Sequence, residues 1–252
     1  MNLALVHPRL FQSLILIEPI ISKVAPTPLV PGSPSLVLMS TYRRDRWSSR
    51  EEAARSFRKL YKSWDQRVFD LWMLHGLRDL APPSQEVTLT TTKLQEVSSY
   101  LRPMFGRTLP HLDEDVLGTL PFYRAEMVRA FKNLPHVRPK TLFIFGKQSP
   151  YSLPELRREK LSVTGVGAGG SKEKADEVVL EGGHFLPMEN VSACAAAIAA
   201  RLGTASAEWR ADDETFRAQW AKQEKVEISR EWMETLAPLT EELRKSKKRS
   251  QL

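Results

Sequence analysis

Apolar and polar positions along the chain alternate between two kinds of pattern. The run 14-LILIEPI-20 is continuously apolar and suits a strand buried on both faces, and 141-TLFIFG-146 and 177-EVVLEG-182 read as two further strands. Residues 1 to 10 read as the end of a helix stopped by His7-Pro8, and 26-PTPLVPGSPS-35 breaks regularity. From Asp45 to about Leu80 the period becomes helical, with Phe57, Leu60, Tyr61, Trp64, Val68, Leu71 and Trp72 on one face, which predicts two helices inserted between the first two strands. Pro82-Pro83, Pro103 and Pro110 predict short helices or loops over 81 to 120, and 121-PFYRAEMVRAFKNLP-135 predicts a helix ending before Pro135. The third strand is followed by Gly182-Gly183, His184 and the helix 190-NVSACAAAIAARL-202, with Asn190 as its cap. Beyond Ala205 the chain is charged and amphipathic, with Trp209, Phe216, Trp220 and Trp232 spaced along it. The expected organisation is a core from 1–42 and 121–204, a helical insertion over 43–120, and a charged helical extension over 205–252.

Composition narrows the class. With 252 residues, 42% of them hydrophobic, the chain is long enough to bury a core. No apolar run reaches the roughly 18 to 20 residues that span a bilayer, and no charged region precedes an apolar one at the N-terminus, so neither a transmembrane segment nor secretion is expected. The single cysteine, Cys194, excludes a disulfide framework and a cysteine metal cluster, which points to a reducing, intracellular setting with no metal or cofactor.

The net charge of +7 is concentrated in two places. Arg244, Lys245, Lys247, Lys248 and Arg249 crowd the C-terminus. Arg43, Arg44, Arg46, Arg50, Arg55, Arg58, Lys59 and Lys62 are interleaved with Asp45, Glu51 and Glu52 at the spacing of a solvated helix face. Neither cluster carries a nucleic-acid-binding signature, and nucleic acid is not expected as a partner. Gly165, Gly167 and Gly170 match G-x-G-x-x-G, but the charged 154-PELRREKL-161 precedes them where a dinucleotide site needs a strand, so a surface loop is expected.

The order strand, Glu18, helical insertion, strand, strand, Gly-Gly-His, helix resembles the C-terminal half of an α/β-hydrolase. The stretches 3-LALVHPRLFQSLILIEP-19, 138-RPKTLFIFG-146, the glycine loop and 177-EVVLEGGHFLPME-189 are similar to fungal members, a group with peroxisomal lipase-like hydrolases and abhydrolase proteins of host-selective toxin clusters. The resemblance implies a partial α/β-hydrolase fold of about three parallel strands, with a helical cap insertion and a C-terminal helical extension. It makes His184 the general base. The acid is Glu18, in 17-IEP-19, or alternatively Glu155, the first carboxylate after 146-GKQSPYS-152.

The nucleophilic serine of that fold sits in G-x-S-x-G, which this sequence lacks. Met1 to Leu5 match the helix that follows the serine, so the resemblance places the nucleophile upstream of Met1, and this chain alone is not expected to hydrolyse anything. The lineage implied is an esterase, lipase or thioesterase acting on a small apolar or acyl substrate, in peroxisomal lipid metabolism or fungal secondary metabolism. The alternative is a non-catalytic protein that binds an acyl ligand or a partner, for which Trp47, Trp64 and Trp72 supply apolar surface. Ser250-Gln251-Leu252 is similar to a Ser-Lys-Leu terminus, which implies a peroxisomal import receptor as partner, with the cytoplasm as the other location.

Overall fold

The computed structural model describes residues 1–23, 36–100, 102–103, 122–123, 126–167, 175–222 and 228–249. The glycine at 170 and the terminal Ser250-Gln251-Leu252 lie outside them. By its internal contacts the chain divides into two units, Met1–Ala205 and Ser206–Leu252.

In the first unit, α1 (Asn2–Val6) leads into β1 (Ser13–Ile17), which pairs in parallel with β7 (Lys140–Gly146), and β7 pairs in parallel with β8 (Ala175–Leu180). The register sets Ile17 beside Ile144 and Gly146 beside Leu180, so the carboxyl ends of all three strands lie along one edge of the sheet. Alternation along β7 makes two cores. Phe143 and Phe145 pack with Phe131 and Leu134 on one face, where α6 (Glu126–Asn133), the following 3-10 turn Leu134–His136 and α7 (Pro154–Val163) supply cover. Leu142 and Ile144 pack on the other with Leu186 of α8 (Leu186–Glu189) and with Cys194, under the first turns of α9 (Val191–Lys222). Of the three parallel strands, only β7 is buried along nearly its whole length. β1 was expected to be buried on both faces but is half-buried, because among the described residues it pairs on one side only. β8 begins two residues earlier than its apolar pattern suggested and exposes Val179, as an edge strand can.

Between β1 and β7 lies a separate small core. α2 (Leu36–Tyr42) packs beside α5 (Lys93–Tyr100), and β2 (Arg46–Trp47), β3 (Leu77–Asp79) and β4 (Val87–Leu89) form an antiparallel sheet, in the order β2-β4-β3, under α3 (Arg50–Leu60) and α4 (Gln66–His75). A two-residue ladder joins β5 (Arg102–Pro103) to β6 (Phe122–Tyr123). The sheet β2-β4-β3 was not foreseen, since strands of two or three residues are too short to show a period. The core consists of Trp47, Ala53, Phe57, Phe69, Leu77, Val87 and Leu89. Leu60 and Leu71, expected on the buried face, are exposed, and Phe69 is buried instead. The apolar period does not run unbroken through the region, because Tyr61–Asp65 separates α3 from α4 and resets the phase.

Ser49 caps α3 through its hydroxyl, which accepts from the Glu52 N–H at 3.2 Å, while the Glu52 carboxylate accepts from the Ser48 N–H at 2.8 Å. Ser49→Ala is expected to lower stability by about 1 kcal/mol, read as a shift in the urea midpoint.

In the described part of the glycine loop, the Gly165 and Gly167 N–H groups donate to the Leu134 and Pro135 carbonyls of the 3-10 turn at 2.9 Å, and Gly165 is buried while Val166 is exposed. The helix expected to end near Leu202 runs on to Lys222, because one glycine, Gly203, costs only about 1 kcal/mol in a stretch otherwise rich in alanine, glutamate and arginine. Asn190 does not cap it with its side chain, which donates to the Glu181 carbonyl at 3.0 Å. In the second unit Trp209, Phe216 and Trp220 are exposed, as is Trp232 on α10 (Arg230–Arg249). No helix among the described residues is long and apolar enough to cross a membrane.

Candidate functional site

Three chain segments meet at the carboxyl ends of the parallel strands. The first is the end of β1. Its ladder continues one residue further, through the Glu18 N–H donating to the Ile144 carbonyl at 2.9 Å, and then Glu18 turns away with φ 45. A left-handed conformation in a glutamate costs about 1 to 2 kcal/mol and persists only where surroundings enforce it. Here they do: the Glu18 side chain is 3% exposed, and its carboxylate accepts from the Gly146 N–H and from the Ser152 hydroxyl at 2.7 Å.

The second segment is the turn after β8. Gly182, at φ 144, has a backbone conformation that side chains avoid, and a Cβ there would lie 2.7 Å from Leu186 Cδ1. Gly146 meets this turn closely: a Cβ on it would lie 2.3 Å from the Gly183 carbonyl oxygen. The turn is pinned from the other side by Glu189, whose carboxylate accepts from the Gly183 N–H and from the Ser63 hydroxyl, the latter at 3.0 Å. These contacts present His184, with Nδ1 3.0 Å from Glu18 Oε2 and the ring partly exposed.

The third segment is the loop after β7. Tyr151 sets its ring against His184 in a T-shaped arrangement at 4.7 Å between centroids, and Ser149 and Ser152 are buried beneath it. Gln148 ties the loop to the turn, accepting from the Gly182 N–H at 2.7 Å. On the outer side Phe185 is exposed, and Trp64 meets it edge-on at 6.0 Å. A backbone bond from Asp65 to the Met188 carbonyl, at 2.8 Å, fixes that side of the inserted region to the histidine loop.

Charge in the site follows from these contacts. Burial pushes the Glu18 carboxyl up, but hydrogen bonds from His184, Ser149, the Gly146 N–H and Ser152 outweigh it and hold the group below its ordinary value of 4.5. An ionised carboxylate only accepts, so His184 Nδ1 donates to Glu18, and in the neutral imidazole this leaves Nε2 as the acceptor. A depressed carboxyl stabilises the fold above its unfolded value and loses that contribution as pH falls through the folded one. Glu18→Gln is therefore expected to lower the urea midpoint at about pH 7, with the deficit narrowing toward about pH 3.

Glu18 and His184 are brought together. Glu155 is not: it is exposed in the first turn of α7. Of the three tryptophans, Trp47 is buried in the small core and Trp72 packs against it, which leaves Trp64 on the histidine side. Ser149, Ser152, Tyr151 and Glu189 were not foreseen. The segment 146-GKQSPYS-152 showed only its want of a carboxylate, although buried hydroxyls beside a buried glutamate are what such a loop can offer in its place. Among the described residues no cluster of histidine, cysteine and carboxylate side chains has a metal-binding arrangement.

The arrangement can be set beside known proteins. No protein-family model matches the chain. An abhydrolase domain-containing protein of Alternaria alternata, ACTT2-1, is 30% identical over 207 residues, which cover 79% of this chain and 76% of that protein. The chain belongs to the α/β-hydrolase superfamily. A second relative is the type I acyl-CoA thioesterase mpaH of Penicillium brevicompactum, 30% identical over 276 residues, 94% of this chain and 63% of the thioesterase. This α/β-hydrolase chain thus spans less than two thirds of the length of that relative. The peroxisomal alpha-beta-hydrolase Lpx1 of Saccharomyces cerevisiae shares the fold, with a TM-score of 0.55 at 15% identity over 99% of this chain and 59% of Lpx1. The parallel sheet and its helical cover agree with the α/β class expected from the sequence.

Proposed function

We propose that this chain supplies the acid and base of a serine hydrolase that cleaves acyl esters or thioesters, with Glu18 as the orienting acid and His184 as the base. The observation that carries the reading is the buried Glu18 carboxylate bonded to His184 Nδ1 at the carboxyl ends of a parallel sheet. In this reading His184 Nε2 takes the serine proton as the acyl-enzyme forms and returns it to the leaving alcohol or thiol. Glu18 fixes the tautomer and stabilises the imidazolium. The 252 residues contain no G-x-S-x-G, so the reading places the serine on residues preceding Met1 in the full-length protein. An acyl substrate is supported by the thioesterase relative and by exposed Phe185 beside His184. The purified 252-residue chain is expected to turn over neither p-nitrophenyl esters nor acyl-CoA. Turnover by it that vanishes in His184→Ala would overturn the placement of the nucleophile.

A second reading, binding of an acyl ligand without turnover, is favoured by the apolar edge of Phe185 and Trp64. Saturable binding of a fatty acyl compound, unchanged in His184→Ala, would select it. The peroxisomal destination rests on Ser250-Gln251-Leu252 in the sequence alone, and deleting these three residues tests it by the location of a fluorescent fusion.

A further inference from the structure

Lysine is rarely found fully buried, yet Lys160 on α7 is 3% exposed. Its ammonium has three protons to donate, and its described partners are few: Nζ lies 3.3 Å from the Tyr151 carbonyl oxygen and 5.6 Å from the centroid of the Phe145 ring. It forms no ion pair among the described residues. A charge so placed is costly unless something nearby needs it.

What lies nearby is the loop that grips Glu18. The Tyr151 carbonyl belongs to the same short segment as Ser152, whose hydroxyl donates to Glu18, and as the Tyr151 ring set against His184. We propose that Lys160 is a positioning residue of the acid–histidine pair: its buried ammonium anchors the loop after β7 through the Tyr151 carbonyl and balances the Glu18 carboxylate from behind. In most of the described chain a lysine reaches solvent; here it stands where a loop that contributes no carboxylate must hold one contributed by another strand. The inference rests on the reading of Glu18 and His184 as a working pair.

Electrostatics runs the same way. Burial pushes the Lys160 ammonium below its ordinary value, while the Glu18 and Glu159 charges push it back up. The charged groups around it are Glu18 at the end of β1, with His184 bonded to Glu18 from the turn after β8, and Glu159 and Arg157 on α7 itself. Glu159 is also paired with Lys23, and Arg157 with Glu177 at 3.3 Å. Glu18 is therefore the one carboxylate in this group whose own bonds all lie within the site.

The test is heteronuclear NMR on the full chain, following the Glu18 side-chain carboxyl carbon and the His184 Nδ1–H proton in wild type, Lys160→Met and Lys160→Arg. The expected result is an upward shift of the Glu18 titration midpoint and loss or broadening of the Nδ1–H signal in Lys160→Met, both restored in Lys160→Arg. A merely structural lysine would change the thermal midpoint and leave both signals in place, and that outcome overturns the proposal. Absence of a hydrogen-bonded His184 Nδ1–H signal in wild type would instead sink the pairing itself, and the proposal with it. Should Lys160→Met fail to fold, the Lys160 ammonium is titrated in wild type and in Glu18→Gln. A lower midpoint in Glu18→Gln supports the charge balance, and an unchanged one rejects it.

Discussion

In the proposed mechanism Glu18→Ala is expected to slow acylation of a nucleophile-bearing form of the protein by about a thousand- to ten-thousand-fold, the loss that follows when the carboxylate of an acid–base–nucleophile triad is removed and its histidine adopts the wrong tautomer. The cause is geometric. Glu18 accepts the Nδ1 proton at 3.0 Å, and its other oxygen is occupied by Gly146 and Ser152, so it stays fixed as the imidazole turns over its proton. Glu155→Ala is expected to leave the rate within about two-fold, since exposed side chains away from a site rarely matter. Rates of reaction with a fluorophosphonate ester measure both variants without requiring the natural substrate. Equal losses in the two variants would remove Glu18 from its role.

Phe143→Ala should have the largest effect on stability, about 3 to 5 kcal/mol. Phe143 is fully buried at the centre of β7 and stacks on Phe145 at 5.6 Å, with Phe131 and Leu134 closing over them. Domains of this kind are stable by only about 5 to 15 kcal/mol, so the variant is expected to unfold early in a urea titration followed by circular dichroism. Leu60→Ala provides the contrast. Leu60 is 62% exposed, and its loss should stay within about 0.5 kcal/mol. A large loss at Leu60 would mean that the helical period read from the sequence describes the packing better than the structure does.

The difference between those two residues shows what could be read from the sequence. β7 was legible because its seven residues are buried almost throughout, and a continuous apolar run that short, bounded by Pro139 and Gly146, fits a buried strand better than a helix. The inserted region was legible as helical but not in phase, since α3 and α4 each bury their own stripe and the turn between them breaks the period. The short sheet of β2, β3 and β4 left no trace, because its residues are chosen by packing around Trp47 and Val87 rather than by alternation. At the site, Glu18 and His184 stood out as a carboxylate ending an apolar strand and a histidine following two glycines. Their supports did not. Ser149, Ser152, Glu189 and Lys160 act through contacts made across 134 residues of sequence or across a turn, and hydroxyls and amines in charged surroundings carry no periodic signal.

The proposed chemistry needs His184 and Glu18 to work on a serine outside the 252 residues. The most direct measurement is fluorophosphonate labelling of the native protein, with intact mass and the modified residue read by mass spectrometry. The expected result is one adduct, on a serine N-terminal to Met1, formed by the wild type and lost in His184→Ala. An adduct on a serine within the 252 residues, or a native protein of this chain's mass that takes no label, would contradict it.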